Sequence, residues 1–115
     1  MMSGIAYEQG EVLIVPFPFS DLSAIKQRPV LVLSKKEYNK NTEDIITCGI
    51  TSNLKDSENS VLIENKSLSE GELPTISRIK VDKLFTLEKS IVKKKIGKIN
   101  KETFEKVKKK FIDLI

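Results

Sequence analysis

Apolar residues along this chain come in short runs broken by prolines, glycines and polar stretches, a pattern that points to strands more than to helices. Gly10-Glu11 opens the β-branched run Val12-Leu13-Ile14-Val15, and Pro16-Phe17-Pro18-Phe19 follows. Two prolines remove ladder donors, so the first strand is expected to end there. A loop over Ser20 to Gln27 leads to Arg28-Pro29 and Val30-Leu31-Val32-Leu33-Ser34, a second strand expected at the centre of the sheet. The residue before a proline is pushed out of the helical region, so Arg28 is expected extended at the strand entrance.

Ser34 to Asn39 reads as one helical turn capped by Ser34, and Ile45 to Ile50 as a third strand ended by Thr51-Ser52-Asn53. A polar excursion, Leu54 to Ser60, precedes Val61-Leu62-Ile63, and a loop with Gly71 and Pro74 follows. Ile76 to Val81 alternates with period two, as a half-buried strand does, and Leu84 to Leu87 continues in strand-like composition. The chain closes on a helix capped by Asn100, with Phe104, Val107, Phe111 and Leu114 on one apolar stripe. Roughly five to seven short strands with a closing amphipathic helix predict a mainly β fold with helices, built as a small closed or half-closed barrel.

Length and composition narrow this to one unit. With 115 residues, 39% of them hydrophobic and 31% charged, the chain is expected to form a single domain over residues 1–115. Its longest apolar run, Val12 to Phe19, falls short of the roughly 18 to 20 residues of a membrane span, and no membrane association is expected. Met1 to Glu8 lacks a basic region followed by an apolar one, so a cytoplasmic location is expected.

The chemistry is bounded most sharply by what is missing. There is no histidine and one cysteine, Cys48, set in an apolar run as a buried hydrophobe would be. Zinc fingers, His-based triads, HNH-type nucleases and paired-histidine ribonuclease chemistry are excluded, leaving Arg, Lys, hydroxyls and carboxylates. No metal and no cofactor are expected. The net charge of +4 conceals an asymmetry. Residues 1–77 carry 7 Lys and Arg against 11 Asp and Glu, whereas residues 78–115 carry 13 against 5. That basic third suits a nucleic acid or an acidic protein, although a Lys-rich face is also an ordinary solvated one. Among 18 Lys there are only 2 Arg, so Arg28 hints at a position where the guanidinium fork matters, the alternative being an ion pair with a carboxylate such as Asp21.

Five segments, taken together, carry a resemblance: Gly10-Glu11-Val12-Leu13-Ile14-Val15; Lys26-Gln27-Arg28-Pro29 with the apolar run to Ser34; Ile50-Thr51-Ser52; Leu84-Phe85-Thr86-Leu87; and Lys95-Ile96-Gly97-Lys98-Ile99. In order and spacing the chain resembles the MazF/PemK family of toxin endoribonucleases over nearly its whole length. The resemblance implies an SH3-like small barrel of the MazF/CcdB type with a C-terminal amphipathic helix, a homodimer, and metal-independent cleavage of single-stranded RNA, including mRNA. It implies Arg28 and Thr51 as catalytic residues, with Ser20, Asp21, Lys26, Ser52 and Ser77 as RNA-binding positions. Attack by the RNA's own 2′-hydroxyl would leave a 2′,3′-cyclic phosphate and a 5′-hydroxyl, inhibiting translation and growth. The implied partner is a small acidic antitoxin.

Plainer readings stand beside these. Thr51 also suits a β-former or turn hydroxyl, Ser20 and Asp21 an Asx-type turn, and Phe17 and Phe19 a core as much as a base-stacking platform. A different function class, a non-catalytic SH3-like nucleic-acid-binding or gyrase-inhibiting module, shares the same barrel.

Overall fold

The computed structural model describes residues 6–18 and 25–115. The strands are β1 (Glu11–Pro18), β2 (Ile25–Val32), β3 (Asp44–Thr51), β4 (Ser60–Ile63), β5 (Leu68–Gly71), β6 (Ser77–Glu88) and β7 (Lys94–Ile99), with helices α1 (Lys36–Asn41) and α2 (Lys101–Ile112). All seven strands of the described residues join one antiparallel sheet in the order β4-β6-β3-β2-β1-β7-β5, with β2 at its centre as expected.

That order forces curvature. The edge strands β4 and β5 are consecutive in sequence, joined by Glu64 to Ser67 alone. A connection of that length spans at most about 18 Å, whereas the edges of a flat seven-stranded sheet lie about 29 Å apart. The sheet therefore curls into a half-barrel with a C-terminal helix. Its strands β1, β2 and β3 are covered on both sides: Val12, Leu31, Cys48, Ile50, Ile79 and Val107 pack in one core, and Leu13, Val15, Val30, Val32 and Ile45 in another. Burial of both faces explains why β1 and β2 read as continuous apolar runs and not as alternating ones. Burial also pushes the Cys48 thiol up to about 12, with the Asp82 charge adding to the shift, in keeping with a packing role.

The prolines do not end the strands. β1 continues to Pro18, and β2 begins at Ile25, before Arg28-Pro29. The ladder between β1 and β7 stops at Ile14, and that between β2 and β3 starts only at Val30, while β1 and β2 stay paired from Val12↔Leu31 to Pro18↔Ile25. Pro16, Pro18 and Pro29 thus sit in a two-stranded arm where each strand has one ladder neighbour and a missing N–H is tolerated. Arg28 lies within the strand and not at its entrance.

Three smaller expectations are also corrected. The cap position of α1 is Lys35; Ser34 instead accepts a hydrogen bond from Ile46 N–H at 2.9 Å and donates to Asn39 Oδ1, fastening the helix to β3. The Gly71 segment is a strand, β5, whose glycine has φ +82 and lies so close to β7 that a Cβ would collide with the Ile96 carbonyl oxygen. Asn100 caps α2, its Oδ1 accepting from Thr103 N–H at 2.8 Å, and Val107 is buried, but Leu114 falls past the helix end and is exposed.

Candidate active site

Three strands, β2, β3 and β6, and the loops after β3 and before β6 build the site. Arg28 and Thr51 each lie two residues past Val30↔Gly49, the last pair of the β2–β3 ladder, and Thr51 pairs with Arg78 on β6. Arg28 stands between two adjoining cavities. One, of about 240 Å³, is walled by Arg28, Thr51, Asp56, Lys80, Lys83 and Phe85. The other, of about 280 Å³, is walled by Lys26, Arg28, Ser52, Thr75 and Ser77. Together they form a groove whose described walls carry Arg28, Lys26 and Lys83 as cations, with the buried Lys80 ammonium committed to Asp56, a setting that suits a phosphodiester.

The hydroxyls differ in what they have left to offer. Thr51 Oγ1 accepts from Asn53 N–H at 3.1 Å, which fixes the start of the loop after β3. Its own proton enters no hydrogen bond among the described residues, so Thr51 retains a donor. Ser52 is exposed at the groove rim. Ser77 is 5% exposed and its hydroxyl donates to the Thr75 carbonyl at 3.0 Å, so it lines the cavity with its donor committed. Five of the expected positions, Arg28, Thr51, Lys26, Ser52 and Ser77, thus come together. Ser20 and Asp21 lie outside the described residues.

Sequence reading missed three contributors. Lys80 has a side chain only 6% exposed, and its ammonium donates to Asp56 Oδ1 at 2.8 Å and to the Glu58 carbonyl at 2.6 Å. Arg78 Nε donates to the Leu54 carbonyl at 2.8 Å, and another guanidinium nitrogen reaches Ser60 Oγ at 3.2 Å. The period-two pattern of Ile76 to Val81 did place Arg78 and Lys80 on one face, but it gave no sign that the face was covered by the loop. Asp56, inside the polar excursion, carried no sequence signal at all.

A larger cavity, about 450 Å³, lies under α2 among Leu33, Ile46, Leu84, Phe104 and Phe111, apart from Arg28 and Thr51. Among the described residues no three His, Cys, Asp or Glu side chains gather as a metal-ligand group, and no helix is long and apolar enough to cross a membrane.

Comparison with known proteins gives one family match, to the family described as PemK-like, MazF-like toxin of type II toxin-antitoxin system, over residues 8–115. No curated protein sequence matches. Among solved structures, the chain is similar to MazF in a MazE-MazF crystal structure from Deinococcus radiodurans, with 20% identity and a TM-score of 0.77 over 96% of each chain. It is similar to an endoribonuclease in complex with its cognate antitoxin from Mycobacterial species, with 19% identity and a TM-score of 0.71 over 94% of this chain and 91% of that one. The Mycobacterium tuberculosis toxin MazF-mt6 matches at 17% identity and a TM-score of 0.68, over 88% of this chain and 93% of that one.

Proposed function

The chain belongs to the PemK-like, MazF-like toxins of type II toxin-antitoxin systems, and from that premise we propose that it is a metal-independent endoribonuclease that cuts single-stranded RNA in the groove around Arg28. The observation that carries the reading is the meeting of Arg28 and Thr51 on one cavity wall. Arg28 offers its planar fork to the phosphoryl oxygens, where negative charge grows as phosphorus becomes five-coordinate. Thr51 adds a hydroxyl donor aimed at the same charge. Arginine holds its proton too tightly to be an efficient general acid, so charge stabilisation is the role assigned to Arg28. The RNA's 2′-hydroxyl is the nucleophile, leaving a 2′,3′-cyclic phosphate and a 5′-hydroxyl.

Lys26 and Ser52 at the rim contact the RNA backbone, with Ser77, Ser20 and Asp21 as further RNA-binding positions. In the cell the targets are messages in the cytoplasm, and the outcome is arrest of translation and growth. The active form is a homodimer of one-domain chains, restrained by an acidic antitoxin. The antitoxin complexes solved for structurally similar proteins support that partner.

The test is product analysis. Purified protein incubated with single-stranded RNA in EDTA should give cyclic-phosphate and 5′-hydroxyl ends, and a substrate with a 2′-deoxy sugar at the scissile position should stay intact. Cutting of the 2′-deoxy substrate, or a strict need for magnesium, would overturn the mechanism.

A further inference from the structure

Attack by a 2′-hydroxyl needs a group to take its proton, and neither Arg28 nor Thr51 is suited to that. We infer that Asp56 is the general base of this reaction and that Lys80 is the positioning residue that holds it, an inference that rests on the cleavage proposed above. Among the described residues the cavity shared by Arg28 and Thr51 has one carboxylate in its wall, Asp56. Its Oδ1 is anchored at 2.8 Å by Lys80. Its Oδ2 enters no hydrogen bond among the described residues, and its side chain is 45% exposed. One oxygen is fixed and the other has no partner among the described residues, so this half-exposed carboxylate keeps an acceptor for a proton.

The loop that carries Asp56 is tied to Thr51. Asn53 is the knot: its N–H donates to Thr51 Oγ1 at 3.1 Å, its side-chain oxygen accepts from Lys55 N–H at 3.1 Å, and its carbonyl accepts from Asp56 N–H at 3.1 Å. From the sheet side Lys80 grips Asp56 and the Glu58 carbonyl, and Arg78 grips the Leu54 carbonyl. Burying a lysine carries a desolvation cost that an apolar side chain would avoid. Here its ammonium crosses from β6 to fix the loop segment around Asp56. Asp82, the other carboxylate near Lys80, is 4.0 Å from the ammonium, accepts from Asn59 Nδ2 at 3.3 Å, and is not part of the cavity wall.

In the step itself, Asp56 Oδ2 takes the proton of the 2′-hydroxyl as the 2′-oxygen bonds to phosphorus. The bond from phosphorus to the 5′-oxygen breaks, that oxygen leaves with the electron pair, and it is protonated by water in the open groove. Asp56 returns its proton to solvent, so no water is consumed and atoms and charge balance. The charged groups around the base are Arg28 from β2 and Lys80 and Lys83 from β6.

Wild type, Asp56→Asn, Asp82→Asn and Lys80→Met would be compared on a mixed-sequence single-stranded RNA, with kcat and KM followed across pH, binding measured on the 2′-deoxy analogue, and Tm recorded. Asp56→Asn should lower kcat roughly a hundredfold or more and flatten the acidic limb of the kcat profile, with analogue binding and Tm little changed. Lys80→Met should lower kcat while leaving KM in place, and Asp82→Asn should keep the acidic limb. If the wild type makes cyclic phosphate and Asp56→Asn keeps more than a third of its kcat, the base assignment is overturned while the cleavage reading stands. The same holds if Asp82→Asn is the variant that flattens the limb. A wild type that makes no cyclic phosphate overturns both.

Discussion

Arg28 on β2 and Thr51 at the end of β3 wall the same cavity, each two residues past Val30↔Gly49, where the β2–β3 ladder stops. Arg28→Lys keeps the charge and the stem but loses the two-donor fork. It should leave Tm nearly unchanged and cut RNA cleavage by roughly a hundredfold or more. Nearly full activity in the lysine variant would remove Arg28 from the chemistry.

Thr51→Ala removes a donor from the groove and an acceptor from Asn53 N–H. Loss of one such hydrogen bond at a partly exposed loop start costs about 0.5–1.5 kcal/mol, so Tm should fall by only a few degrees while turnover drops well beyond what the lost stability explains. A large fall in Tm with unchanged turnover per folded molecule would make Thr51 structural.

Cys48 gives a prediction about pH. Its thiol, pushed up to about 12 in the fold, returns to an ordinary value near 8.5 when the chain unfolds. Between those values the unfolded chain releases a proton that the folded one keeps, so Cys48 contributes stability below about pH 8.5 that is lost as pH rises toward 12. The stability difference between wild type and Cys48→Ala, measured by urea titration, should shrink across that window. Iodoacetamide should leave the native thiol untouched at pH 8 and label it readily in denaturant. Rapid labelling of the native protein would contradict the burial.

Asn100→Ala should lower stability by about 0.5–2 kcal/mol through loss of the α2 cap. Cleavage at temperatures below the transition should be unaffected, since α2 packs against β4 and β6 and Asn100 is absent from both groove walls. A parallel loss of cleavage there would tie the helix cap to the site.

RNA binding should weaken steeply with salt, since cations on phosphates release counterions. Filter binding of the 2′-deoxy analogue at several salt concentrations should show Lys26→Ala reducing the slope by about one phosphate contact. An unchanged slope would remove Lys26 from the interface.

What could be read from the chain in advance follows a physical line. The central strand, the third strand and the capped closing helix declare themselves through local patterns: a β-branched run, an apolar run ended by hydroxyls, and Asn100 ahead of a stripe at spacings of three and four. Proline statistics misplace the ends of β1 and β2, because a proline's missing donor matters only where a second neighbour would use it, and neighbours are set by topology. Arg28 stood out through composition and Thr51 through the Ile50-Thr51-Ser52 segment. Lys80 and Asp56 did not, because their roles depend on a loop folding back over a strand more than twenty positions further along the chain.

The position of β1 between β2 and β7 also sets the order in which the sheet can close. Glu11 waits for Lys98 as its partner, so a chain emerging from the ribosome holds its first strand with one side unpaired until Lys98 has been made. Pairings of this range are slow to close, and an edge left open is prone to bind other strands. A growing chain that already contains Arg28, Thr51 and Lys80 still lacks the β1–β7 ladder. The strand order thus places closure of β1 after the residues of the groove have been made.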